Sequence, residues 1–357
     1  MRKIYWLFVF FIFIACTNEE VLQTEKATFD ETEVIVTQEY EKGLVRIMVT
    51  DELSDKMEVT ALTGESRTRA MEADGAISRV KVRSMKRTFP HAGRFEARSR
   101  KAGLHLWYDV EFDAGVPLEE ARANLSSIHG VRNVEYRPKA IRYDEDGIIE
   151  VVNQMAQNIA QPTATMPFND PRLPDQWHYY NDGSLGDKFL SGADINLFNA
   201  WNYATGSPDV VVAVVDGGIA YTHEDLAANM WVNQAEKNGT SNVDDDKNGY
   251  RDDIHGYNFV ADIGKLVPHD HGTHVAGIIA AVTNNGKGVS GIAGGNGQSN
   301  SGVRLMSCQI FVDADDPYAG NAGQHGATAI KYAADNGAVI CQNSWGYPTL
   351  TQTPASD

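Results

Sequence analysis

The sequence predicts a doubly wound parallel α/β sheet preceded by a small α+β domain. Three patterns carry that expectation. Residues 210–215 form an unbroken β-branched and apolar run, as expected of a strand covered on both faces. Beyond residue 169, strand-like runs (303–312 and 338–342) alternate with helical ones (271–282 and 322–336), the mark of a parallel sheet with helices on both sides. The front of the chain lacks this alternation and reads as short strands around a helix.

In chain order, Met1-Arg2-Lys3 is basic and residues 4–15 carry no charge. That apolar run is too short to span a bilayer and fits a signal peptide over residues 1–15. A small residue, Ala15, precedes Cys16, as at a bacterial lipoprotein processing site, so Cys16 is the expected lipidation position. An ordinary signal peptide with a chance Cys is the alternative. Acyl chains on Cys16 would hold an exported protein at a membrane surface, in the cell envelope or outside it. Residues 16–42 are polar and acidic and read as a tether.

Residues 43–50, 77–88, 104–112 and 131–136 read as strands. Residues 117–128 have helix signals, with Pro117 at the start and Glu119 and Glu120 in the first turn. Together they define an α+β domain over residues 43–143. Residues 144–168 read as a linker, in which residues 153–167 are rich in Gln, Asn and Thr, with Pro162 and Pro167. The α/β domain then covers residues 169–357.

The formal net charge of −17 argues against nucleic acid as a partner, because phosphate binding needs clustered Lys and Arg. Of the three cysteines, Cys308 and Cys341 lie in apolar strand-like runs and read as buried thiols; a disulfide between them is the alternative.

Asp216 closes the apolar run 210–215 and is followed by Gly217 and Gly218. In a parallel α/β sheet the working site lies beyond the carboxyl ends of the strands, so Asp216 is placed beside it. The bland reading is an Asp that caps the next turn. His271 opens a small-residue helix, where the helix N-terminus favours the neutral imidazole that a general base needs. His274, one turn on, is expected to pack inward. A metal site of His269, His271 and His274 lacks the Glu and the i, i+4 pair of a helical zinc site.

The segments from Val212 to Ile219 around Asp216, His223-Glu224-Asp225-Leu226, and His271-Gly-Thr-His-Val-Ala-Gly277 resemble the Asp and His motifs of subtilisin-like serine proteases. The order Asp then His fits, with the two 55 positions apart. Asn343-Ser344-Trp345-Gly346 resembles the family's edge strand, so Ser344, Trp345 and Gly346 are implied to bind protein or peptide substrates. Gly217 departs from the family, where Ser or Thr is usual. The resemblance implies that Asp216 orients His271, which takes a proton from a nucleophilic Ser.

Only 86 residues follow His271, and none of Ser290, Ser299, Ser301, Ser307, Ser344 and Ser356 sits in a Gly-Thr-Ser-Met-Ala-like turn. Gly239-Thr240-Ser241 precedes His271 and is a decoy. The sequence is therefore expected to stop short of the catalytic Ser, leaving an inactive fragment with part of its sheet missing. The rival is a non-catalytic surface binding protein built on a degenerate domain.

Asp244, Asp246, Asn248 and Asp252 offer oxygen ligands around the turn glycine Gly249, the front of a calcium loop without the Glu that ends an EF-hand; a solvated acidic turn is the alternative. The family resemblance alone implies a second calcium site at Asp170, Asp225 and Asn285. The front domain resembles the prodomains of such proteases, the fervidolysin type in particular, at Phe95-Glu-Ala-Arg98 and Gly103-Leu-His-Leu-Trp-Tyr108. That likeness implies an intramolecular inhibitor. A generic spacer domain is the alternative.

Overall fold

The computed structural model describes residues 35–38, 40–62, 66–142, 166–184, 186, 189–346 and 349–352. The signal peptide, Cys16 and nearly all of the tether and linker lie outside the described residues. Residues Thr37–Leu350 cluster as one compact unit, which takes in residues 43–143 and residues 169–350. Among the described residues no helix is long and apolar enough to cross a membrane.

The front domain is a four-stranded antiparallel sheet. Its strands are β1 (Tyr40–Val49), β2 (Val82–Arg87), β3 (Trp107–Phe112) and β4 (Val131–Pro138), in the order β2-β3-β1-β4. Val45, Ile47 and Val49 on β1, with Tyr108, Val110 and Phe112 on β3, put alternate side chains into one core. Helices α1 (Asp51–Leu62), α2 (Ala76–Val80) and α4 (Leu118–Ser126) cover that face through Leu53 and Met57, Ile77 and Val80, and Ala121 and Leu125. A short α3 (Glu96–Lys101) precedes β3.

Two expectations need correction here. The span 77–88 is not one strand: Ala76–Val80 is helical and Lys81, at φ 54°, turns the chain into β2. The span 104–112 begins with a 3₁₀ turn, Leu104–Leu106, before β3.

A further two-residue strand, β5 (Ile141–Arg142), follows β4. The α/β domain then has a four-stranded, all-parallel sheet: β6 (Val211–Gly217), β7 (Gly256–Asn258), β8 (Arg304–Phe311) and β9 (Ile340–Asn343), in the order β9-β6-β8-β7. Short helices α5 (Leu197–Ala200) and α6 (Gln234–Lys237) lie in its connections. The two long helices flank the sheet on opposite faces. Val212 and Val214 meet α7 (Asp270–Ala280), while Ala213 and Val215 share a core with α8 (Gly326–Asp335). This two-sided cover explains the unbroken apolar run, because both pleat faces are buried. Cys308 and Cys341 are free thiols on β8 and β9, with β6 between those strands.

The two domains meet along α8 and the loop 244–253. Thr328 Oγ1 donates to Thr88 O at 2.8 Å, Arg98 pairs with Asp335, and Arg137 donates to Gln324 O. Arg94 N–H donates to Lys247 O at 2.8 Å.

Candidate active site

Asp216 sits at the carboxyl end of β6 and is almost fully buried, at 1% exposure. His271 is the second residue of α7. Its Nδ1 lies 2.7 Å from Asp216 Oδ1, which also accepts the Gly217 N–H at 2.6 Å. Asp216 Oδ2 is buried with no hydrogen-bond partner among the described residues. The glycine after His271 permits this approach: a Cβ on Gly272 would stand 2.1 Å from Gly217 O, so the helix could not come so close to the strand with any side chain there.

The pair has a definite chemical sense. A carboxylate accepts only, so Nδ1 donates, and Nε2 is left as the acceptor on the open side of the ring. The His271 side chain is 19% exposed, enough for a reacting group to reach Nε2. Among the described residues no hydroxyl is hydrogen-bonded to His271.

His274 does not pack inward. It is exposed, next to Thr273, whose Oγ1 instead accepts the Ala220 N–H at 2.9 Å. The three histidines share no centre: His271 faces Asp216 and His269 caps the helix.

Ser344, Trp345 and Gly346 follow β9, which lies beside β6. Trp345 Nε1 donates to Val215 O at 2.9 Å, and its ring lies against Gly326. Residues Trp345–Gly346 form a strand, β10, paired antiparallel with β5, Trp345 opposite Arg142 and Gly346 opposite Ile141. The end of the front domain thus lies along the edge expected to hold substrate.

The acidic loop closes on a residue that the sequence reading missed. Ligand oxygens of Glu236, Asp244 and Asp246 all lie within 4.8 Å of one another, and Glu236 is buried. Asp252 turns away, its carboxylate accepting the Asn242 N–H at 2.9 and 3.1 Å. Asn248 donates its N–H to Asp244 and Asp246, and its side-chain oxygen accepts the Tyr250 N–H. Asp253, fully buried, bonds Tyr332 and Asn248, and burial pushes its carboxyl up to about 7. Asn233 caps α6 with Glu236 three residues on, a capping pattern visible in the sequence that could have drawn attention to this Glu.

Asp170, Asp225 and Asn285 are also brought together. Asn285 Nδ2 donates to Asp225 Oδ1 at 2.8 Å, and burial raises the Asp225 carboxyl. Asp170 accepts four protein hydrogen bonds, from Asn284 N, Asn285 N, Gly286 N and Ser290 Oγ. A carboxylate has about four lone-pair positions, so Asp170 is filled without an ion.

Residues 207–356 match the family model described as "Subtilase family". Residues 207–356 form a subtilase-family domain. Among curated subtilases, the chain is 43% identical over 103 residues to subtilisin-like protease 1 of Plasmodium berghei, covering 29% of this chain and 16% of that protein. It is 29% identical over 227 residues to a halolysin-like extracellular serine protease of Natrialba magadii, covering 62% of this chain and 36% of that one. The matches therefore span 16% of the first relative's length and 36% of the second's. Among solved structures, the epidermin leader peptide processing serine protease of Staphylococcus aureus aligns with a TM-score of 0.40 at 12% identity, over 84% of this chain and 50% of that one.

Proposed function

We propose that this chain carries the base and the orienting acid of a subtilisin-type serine endopeptidase, with its own front domain as an intramolecular inhibitor. The observation that carries the reading is the 2.7 Å contact between His271 Nδ1 and Asp216 Oδ1, at the carboxyl end of a core strand. His271 Nε2 would take the proton of a serine hydroxyl as its oxygen attacks a peptide carbonyl, and would return it to the leaving amine. Asp216 would hold the ring in that tautomer and stabilise the imidazolium.

The antiparallel contact of Ile141–Arg142 with Trp345–Gly346 supports the inhibitor role. An extended segment added to a sheet edge occupies the backbone groups that a substrate would use. Export fits the apolar N-terminus and the extracellular relatives, and lipidation at Cys16 would anchor the exported chain.

Calcium fits the Glu236, Asp244 and Asp246 cluster, whose donors are the hard oxygens that this ion takes. Bound there, it would neutralise three carboxylates and fix the loop against α6. At the second site the filled Asp170 leaves Asp225 and Asn285 as the donors to test.

The test compares two proteins. These 357 residues alone should hydrolyse no peptide above background, because loss of the nucleophile removes on the order of 10⁶ in rate. A chain carried on through the gene to a Gly-Thr-Ser-Met-Ala-like stretch should hydrolyse peptides and lose that activity with His271→Ala. Turnover by the 357-residue chain that survives His271→Ala would overturn the reading, and no turnover by the longer one would overturn it in favour of a binding protein.

A further inference from the structure

Gly217 has no room for a side chain, because the ring of another residue fills the space beside it. A Cβ built on Gly217 would stand 2.6 Å from His269 Cγ and 2.7 Å from His269 Cβ. Real Cβ contacts are not that short, so the His269 ring and a side chain at residue 217 exclude each other.

Both the backbone and the ring of His269 are held. Its residue is 6% exposed. His269 N–H donates to Gly218 O at 2.7 Å, and His269 O accepts Thr273 N–H at 3.0 Å. Nε2 lies 3.1 Å from Asp313 Oδ1, and Nδ1 accepts the His271 N–H at 3.1 Å. Asp313 is therefore an outer brace and the His271 amide the load on the inner side. Asp270 Oδ1 also accepts the His271 N–H, at 2.6 Å, and lies 2.9 Å from His269 Nδ1. The Asp270 side chain is 95% exposed, against 67% for Asp313 and 4% for the His269 ring, so water competes most for the Asp270 bond and it is the least held of the three.

We infer that His269 is a positioning residue for His271: its braced ring occupies the space that Gly217 leaves, caps α7 and fixes the backbone from which the His271 side chain reaches Asp216. The inference rests on Asp216 and His271 acting as the peptidase pair. An imidazole at a helix N-cap also differs from the usual Ser, Thr, Asp or Asn in being rigid and held from both ends. Rigidity matters because a base must be held within fractions of an ångström of its productive geometry.

The readout is the far-downfield proton resonance of the Asp216–His271 hydrogen bond in the 357-residue chain, with circular dichroism as the check on folding. Wild type should show it and Asp216→Ala should not; a folded wild-type chain without it removes the peptidase-pair reading itself. Given that signal, His269→Ala should lose it, His269→Asn, which restores a cap acceptor without the braced ring, should keep it in broadened form, and Asp270→Ala should leave it unchanged. Asp313→Ala, a change at an exposed brace, should broaden it without unfolding the chain. An unchanged resonance in folded His269→Ala, or its loss in Asp270→Ala instead, overturns the inference while leaving the Asp216–His271 pair intact. If His269→Ala does not fold, an unchanged resonance in Asp313→Ala or a lost one in folded His269→Asn overturns it.

Discussion

Trp345 stands directly opposite Arg142 across the antiparallel pairing that joins the last strand of the front domain to the edge beside the Asp216 strand. The contact is made by backbone, so it should be sensitive to the loss of one N–H. Ile141→Pro removes a donor and adds a ring that a paired strand cannot accommodate. Hydrogen exchange at Trp345 and Gly346 should then speed up by about fivefold, the equivalent of one hydrogen bond of ~1 kcal/mol. Exchange in α7 should not change. Equal protection in the variant would show that this edge is not held by the front domain.

The front domain should be acid-labile through Asp109. Burial acts to raise its carboxyl, but the guanidiniums of Arg137 and Arg46 hold it below the usual value near 3.8. Both guanidiniums lie 2.8 Å from Asp109 Oδ1, and Arg137 also reaches Gln324 O in the other domain. A depressed folded pKa gives stability that is present above the unfolded value and is lost as the pH falls through the folded one. Asp109→Asn should thus lower stability at pH 7 by about 1–3 kcal/mol, as for hydrogen bonds to charged groups. Urea unfolding of the two proteins should converge once the pH is low enough to protonate Asp109 in the fold. A constant gap down to that pH would assign the loss to packing.

The Asp216 strand and the His271 helix are legible in the sequence because their signals are local. A strand buried on both faces must be apolar throughout, and a helix pressed onto it must have small residues such as Gly272, so both constraints are written within a few positions. Other features depend on partners far along the chain. Helix α1 was not expected: its buried stripe is narrow, chiefly Leu53 and Met57, and the rest of its surface is polar. The helix Ala76–Val80 reads as strand because its few apolar residues fit either period. Glu236 is buried by loop N–H groups of Asp245, Asp246 and Asp252, which only the folded loop brings to it. The contact between Gly217 and His269 joins positions 52 residues apart that share no sequence signal.

Calcium should bind at the loop, and Glu236 should matter more than Asp252. Calorimetric titration of Glu236→Gln should show one site lost or weakened by about tenfold or more. Asp252→Asn should leave that site, because its carboxylate faces Asn242. Arg94, 3.3 Å from Asp246, places a positive charge beside the cluster, so Arg94→Ala should tighten calcium binding. Identical isotherms for Glu236→Gln and wild type would make the loop a solvated acidic turn.

Gly272→Ala sets two effects of opposite sign against each other. Ala is the better helix former by about 1 kcal/mol, which alone would stabilise α7. The new methyl, however, would stand 2.1 Å from Gly217 O and 2.7 Å from Gly217 C, which are backbone atoms of a core strand. Neither can swing aside as a side chain could, so the helix must move. Overpacking of this kind costs about 1–3 kcal/mol, more than the propensity gain. The variant should therefore melt lower than wild type, and His271 should be carried away from Asp216 with the helix. Gly277→Ala is the matched control: nothing lies within 4 Å of a Cβ there, so the propensity term should act alone and raise the melting temperature. If both substitutions stabilise the protein, the close approach of α7 to the Asp216 strand is wrong.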